Sequence, residues 1–308
     1  MGAVQRHDPG QKRWSPCLPS GFFAILRKML TRYLVSGSEL VPWELPLRKQ
    51  PVKEVTLFVL VFLLLFIPGI ALAAPAADIA QLISRAEQGD RGARQELGIR
   101  YVTGDGVGVD YTEARRWWLL AAAQESAKAQ FNLGMMAETG TGVVRDAAAA
   151  ADWYAQASRL GDAMARFRLG LLYSSGRGVD EDDVEAARLI RLAAEQGLPE
   201  AQNEFGKMCE VGEGTEQNVS EAKKWYRLAA WQGHVFAQSN LGFQIYAGAG
   251  RPADYVEAYA WISLAAARGN AIANSHLREL TSRLTVEQIA AGKKLAMEFQ
   301  GKINADRR

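Results

Sequence analysis

Few side chains in this sequence have the types and spacing that chemistry requires. The histidines His7, His234 and His276 are far apart, and none stands at a metal-ligand spacing such as H-x-x-x-H. The two cysteines, Cys17 and Cys209, offer no disulfide framework, because Cys17 lies ahead of an export signal described below. Asp180, Glu181, Asp182 and Asp183 gather oxygen ligands but lack the glycine and later glutamate of a calcium loop, so they read as a solvated loop that caps a helix. No serine, histidine and carboxylate stand in an order that assigns nucleophile, base and orienting acid. The G-x-G elements recur five times at one step, which makes them turns and not a phosphate cradle. Neither catalytic nor metal residues are expected, nor any cofactor, and the chain does not read as an enzyme.

Composition narrows the classes further. With 308 residues and 48% apolar content the chain can bury a sizeable core. Nine of its 36 Lys and Arg precede Ala74, against four of its 34 Asp and Glu, so the remainder is slightly acidic. No long basic run interleaves with aromatics there, and the electrostatic attraction that drives nucleic-acid binding is missing.

From Val55 the sequence runs VTLFVLVFLLLF without a charge, meets Pro68 and Gly69, and reaches Ala71-Leu72-Ala73 before Ala74-Pro75. This is the apolar segment and small-residue cleavage pattern of a secretory peptide. Counted to Ala77 the stretch is also long enough to anchor the chain in a membrane, and a buried helix is the third reading. Residues 1–51 contain six prolines and read as an irregular extension, either unfolded or lying upstream of a translation start near Val52. Residues 52–73 are then the signal peptide or anchor, and the location is periplasmic or secreted in a bacterium, or the inner membrane if residues 55–77 stay attached. The membrane is a partner only in that uncleaved case.

What must position any functional residue is a repeat. Leu97-Gly98, Leu133-Gly134, Leu169-Gly170, Phe205-Gly206 and Leu241-Gly242 are each 36 residues apart. Glycine pairs follow at the same step from Gly104 and Gly106 to Gly248 and Gly250, then Asp110, Asp146, Asp182, Asn218 and Asp254, then alanines from Ala114 to Ala258 and from Ala121 to Ala265. Gly161, Gly197, Gly233 and Gly269 close four units, and Glu125 takes that place in the first.

Each column has a physical reading. Ala93, Leu97 and Tyr101 share one face of a first helix, and Gly98 lets a second helix approach closely. A glycine inside a helix costs about 1 kcal/mol against alanine, so five repetitions point to a packing requirement. The loop glycines suit the left-handed conformation that ends a helix. Asp110 with Glu113, Asp182 with Glu185, Asn218 with Glu221 and Asp254 with Glu257 predict capping boxes that start the second helices. Trp117, Trp153, Trp225 and Trp261 share a core place with Leu189, while Trp118 and Trp231 fall outside it and read as surface or inter-repeat residues. Cys209 stands in the column of Tyr101 and Tyr173 and reads as a buried, inert thiol. Two-helix units of this kind must stack to bury both faces. The expected fold is an all-α, right-handed α-solenoid of five tandem 36-residue helix-turn-helix repeats: residues 74–89 form a capping helix, 90–269 the repeats, and 270–308 two further capping helices and a tail, the last opened by a box of Thr285 with Gln288.

The pattern carried in the first unit by Ala93, Leu97, Gly98, Tyr101, Gly104, Gly106, Val107, Asp110, Ala114, Trp117, Ala121 and Ala122 resembles the Sel1-like repeat, a relative of the tetratricopeptide repeat. The resemblance spans about residues 78–300, with departures at Ala137, Cys209, Ile245 and Glu125. It implies an adaptor or scaffold that binds other proteins or peptides, in exported bacterial members during signalling, envelope assembly or host contact; a cell-wall or glycan-active enzyme or accessory is the alternative. By analogy with tetratricopeptide arrays, positions two and five to either side of the repeated leucine should line a concave groove. These are Phe131 and Met135 in repeat two, Met164, Phe167 and Leu171 in repeat three, and Phe236, Phe243 and Tyr246 in repeat five, separated by a polar section of Asn203, Lys207 and Glu210. Spaced apolar anchors suit an extended or helical peptide; packing against the adjacent repeat is the other reading.

Overall fold

The computed structural model describes residues 74–305, with side chains from Asp78 onward. The readings made for residues 1–51 and 52–73 lie outside the described residues. Thirteen α-helices and no strand occur among the described residues, in the expected order of one helix, five hairpins and two closing helices. Helix α1 (Ala74–Glu87) is followed by the pairs α2 (Arg91–Thr103) and α3 (Tyr111–Ala122), α4 (Ala127–Thr139) and α5 (Ala147–Arg159), α6 (Ala163–Ser175) and α7 (Asp183–Glu195), α8 (Pro199–Val211) and α9 (Val219–Trp231), and α10 (Val235–Ala247) and α11 (Pro252–Ala267). The array ends in α12 (Ala271–Thr281) and α13 (Val286–Ala305).

Small residues set the packing distance. Ala114, Ala150, Ala186, Ala222 and Ala258 on the second helices are fully buried, as are Ala121, Ala157, Ala193, Ala229 and Ala265, about two turns later on the same face. The first-helix glycines meet the second helix of their own hairpin, as expected, but at the column after the tryptophans. A β-carbon on Gly134 would stand 2.6 Å from the Tyr154 ring, one on Gly170 2.6 Å from Ile190, one on Gly206 2.7 Å from Tyr226 and one on Gly242 2.5 Å from Ile262. In the first repeat the partner of Gly98 is Trp118. Trp118 is therefore not a surface residue: it is buried in the glycine notch and donates its indole N–H to the Gln95 carbonyl at 3.1 Å. Trp231 does sit between repeats, edge-on to Trp261 at 4.9 Å and to Phe299 of α13 at 5.0 Å.

The hairpin loops follow one design in repeats one to four. Gly104, Gly140, Gly176 and Gly212 end the first helices in the left-handed region, with φ of 76°, 76°, 61° and 83°. Asp110, Asp146, Asp182 and Asn218 then cap the second helices, each accepting backbone N–H bonds from the first turn. The other half of the expected boxes is replaced. The N–H of each cap donates to a carbonyl nine residues back, in the tyrosine column: Asp110 to Tyr101 at 2.9 Å, Asp182 to Tyr173 at 3.1 Å and Asn218 to Cys209 at 2.7 Å. With that donor already used, the glutamates turn elsewhere: Glu113 binds Arg116 at 3.0 Å, Glu185 binds Arg188 at 2.6 Å and Glu221 accepts from Trp225 at 3.3 Å.

Repeat five departs from this design. Gly248 has φ −98°, and α11 begins at Pro252, whose ring presets a helical φ. Asp254 thereby moves from the cap to the first turn, where it accepts the backbone N–H groups of Gly250 at 3.2 Å and Arg251 at 3.0 Å; the expected box with Glu257 does not form. Thr285 and Gln288 do form the full reciprocal box at the head of α13. That helix returns along α11, with Gly292 against Tyr259 and with Ala296 and Ile303 buried.

Polar side chains, three of them buried glutamines, join one hairpin to the next, a feature the column reading did not single out. Gln130, Gln202 and Gln238 donate to the carbonyls of Ala122, Ala194 and Ala230 in the preceding second helix, at 3.2–3.4 Å. Arg94 does the same to Ala86 at 2.9 Å. A second set reaches the junction glycines of the preceding repeat: Gln124 to Gly89, Gln196 to Gly161 and Gln232 to Gly197, at 2.9–3.0 Å, and Arg268 to Gly233. The missing member is Leu160, and its counterpart is Glu125, the one non-glycine residue with positive φ among the described residues (58°). Both departures from the pattern fall at a single junction.

Candidate partner-binding groove

The outer face of the first helices holds the residues expected to line a groove, and they differ in how far neighbours cover them. Phe131 and Met135 on α4 are half-buried and pack against the core of repeats two and three, with the Phe131 ring 5.6 Å from that of Tyr154. On α6, Met164 is half-buried, and Phe167 and Leu171 pack against the core that begins in α7. On α10, Phe236 is 60% exposed and Phe243 37% exposed. Phe243 stacks on His276 of α12 at 4.6 Å. Tyr246 donates its hydroxyl to Glu279 of the same helix at 3.2 Å, with the Arg283 guanidinium 5.8 Å from its ring. The closing helix α12 thus borders the aromatic section of repeat five, and Phe236 is the side chain it leaves most open.

The polar section in repeat four is tied down. Asn203 is buried and accepts from Asn240 at 3.0 Å, and Lys207 pairs with Glu204 at 2.8 Å. Glu210 accepts the Tyr226 hydroxyl at 2.6 Å and the Gln244 amide at 2.6 Å. Repeat two contains the twin of this arrangement, in which Glu138 accepts the Tyr154 hydroxyl at 2.7 Å. Both tyrosines are fully buried in the glycine notch, so each phenol needs a partner. Burial first, and the adjacent carboxylate second, hold both phenols far above the ordinary tyrosine range, so they remain donors. Repeats three and five carry Ile190 and Ile262 in the notch and need no such acceptor. The signal for these pairs was present as tyrosine at Tyr154 and Tyr226 with a glutamate 16 residues earlier, but it recurs every second repeat and the 36-residue columns hide it.

The remaining reactive groups have structural surroundings. Cys209 is buried, and desolvation pushes its thiol up to about 11, which leaves it protonated and inert at neutral pH. His234 caps α10, its Nδ1 accepting the Ala237 N–H at 3.2 Å. Among the described residues no three His, Cys, Asp or Glu are placed to hold a metal ion, and no helix is long and apolar enough to cross a membrane.

A family model described as the Sel1 repeat matches five consecutive stretches, residues 93–126, 127–162, 163–198, 199–234 and 235–270. Among solved structures, a Sel1 repeat protein from Oxalobacter formigenes is similar at 30% identity and a TM-score of 0.58, over 68% of this chain and 88% of that one. A protective antigen present in uropathogenic Escherichia coli strains, displaying an SLR fold, is similar at 28% identity and a TM-score of 0.57. That match covers 75% of this chain and 57% of the antigen, so the chain spans little more than half of that relative's length. No match was found among curated proteins.

Proposed function

We propose that this chain, which belongs to the Sel1 repeat family, is an exported scaffold of the bacterial cell envelope that holds a partner protein or peptide in a concave groove lined by its first helices. The observation that carries the reading is the contrast between the two helices of each hairpin. Second helices repeat the same small and aromatic residues inside the array, whereas the solvent face of the first helices changes from repeat to repeat and leaves Phe236 open and Phe243 partly open to solvent. Apolar side chains held on a rigid array, at the cost of exposing them to water, suit capture of a partner's apolar anchors. Export is supported by the uncharged run from Val55 and by a cleavage pattern that ends where α1 starts, at Ala74.

Photo-crosslinking groups placed at Phe236 and Met135 in the native cell should trap the same partner, while one at Val144, 88% exposed in a hairpin loop, should not. Equal capture from all three positions would overturn the groove. N-terminal sequencing of the cell-envelope fraction should begin at Ala74, and a chain found only in the cytoplasm with Met1 intact would overturn export.

A further inference from the structure

The twin tyrosine–glutamate pairs differ in one respect. Around Glu138 the charge is answered from within: Arg177 stands at 3.3 Å and Arg168 at 3.8 Å, both from the following repeat. Around Glu210 the same two positions, 72 residues on, are Asn240 and Ala249, and no cation lies within ion-pair distance among the described residues. Its acceptor bonds come from Tyr226 and Gln244, both neutral. Glu210 is half-buried in the last turn of α8, where the carbonyl end of the helix adds to the negative potential. Asn240 lies one turn before Gln244 on α10, and Phe243, next in the chain to Gln244, is 37% exposed on the same helix.

We infer that Glu210, with Asn240 and Phe243, receives an arginine side chain of the bound partner, flanked on the partner by an apolar residue that covers Phe243. The inference rests on the groove reading above and specifies its partner. Repeat two supplies the template: a carboxylate in this place, holding a buried tyrosine, is completed by guanidinium groups from a neighbouring segment. Arginine fits better than lysine, because its planar fork can donate to the carboxylate and to the Asn240 carbonyl oxygen together.

The test uses a random dodecapeptide display library panned against the full chain. Selected peptides should carry arginine next to an aromatic or aliphatic residue. A synthetic copy of the best should bind Glu210→Gln about tenfold more weakly than the unaltered chain, the scale of one charged hydrogen bond, while its Arg→Ala version should bind both equally. Asn240→Arg copies the position of Arg168, leaves Tyr226 its acceptor and removes the bond to Asn203; it should fill the site from within and abolish the arginine preference, with urea unfolding checking that the fold survives. Peptides that depend on Phe243 but show no arginine preference, or that prefer lysine equally, would overturn this inference and leave the groove standing. A library that yields no peptide sensitive to Phe243→Ala or Phe236→Ala would overturn the groove itself.

Discussion

The loops of repeats one to four and the loop of repeat five carry the same two glycines in sequence and use them differently. In the first four, the second glycine is left-handed and lies under the preceding element: Gly106 against Ile79, Gly142 against Tyr111, Gly178 against Ala147 and Gly214 against Asp183, tight for a β-carbon at Gly106 and closed to one at the other three. Gly250 has nothing within 4 Å of where its β-carbon would be, and Gly248 is not left-handed. A column of identical residues thus covers two situations, a joint between neighbours and an open turn. The difference arises because Pro252 starts α11 early and draws the chain out of the loop form that fits beneath the neighbour.

The largest effects should come where repeat five still agrees with the rest. Gly170→Leu and Gly242→Leu both push a side chain into the second helix of their hairpin, and each should cost about 3 kcal/mol or more, read by urea unfolding. A tolerant Gly242 would show that repeat five has lost its notch as well as its loop. Next, Gly214→Ala places a methyl against the Asp183 carbonyl in a left-handed residue and should cost about 2–3 kcal/mol.

Asn218→Ala removes a cap present in the first four loops and should cost about 1 kcal/mol, whereas Asp254→Ala, whose side chain holds a first turn already preset by Pro252, should cost less. A smaller, pH-dependent effect should arise at the head of α10. Burial, aided by Arg268 and opposed by Glu200 and Glu204, holds the His234 pKa below its ordinary 6.5. The neutral cap therefore contributes fully above pH 6.5, and its contribution is lost as pH falls through the lowered value, because the unfolded chain takes up the proton first. His234→Asn keeps a cap that does not titrate and should flatten this slope in melts between pH 7 and 5. The smallest effect is expected at Gly250→Ala, within about 0.5 kcal/mol of zero; a loss like that of Gly214→Ala would show that the fifth loop is a joint after all.

The helices and their order were legible because the columns record what each hairpin must do alone: Leu97 and its counterparts mark a buried face, and Asp110 and its counterparts mark a helix start. What concerns two elements at once was not legible. The choice between Trp117 and Trp118 as the notch residue depends on how the second helix is rotated against Gly98, and a one-residue shift separates them in sequence. The boxes expected from Glu113 and Glu185 failed because the loop closes on Tyr101 and Tyr173, and a local motif does not encode that closure. The residues expected to line a groove lie on the first helices, but the cover that α12 gives Phe243 and Tyr246 comes from outside the repeat unit.

Helix α13 has a consequence for the size of the assembly. A stack of similar hairpins carries no instruction to stop, since the surface one hairpin offers the next would serve equally for the first hairpin of another copy, a head-to-tail contact that does not close. By lying along α11, with Gly292 and Ala296 inward and Lys293, Lys294 and Glu298 exposed, this 20-residue helix replaces a stacking surface with a charged one. The hairpins set the pitch of the array, and α13 covers the face of α11 on which a further hairpin would otherwise stack.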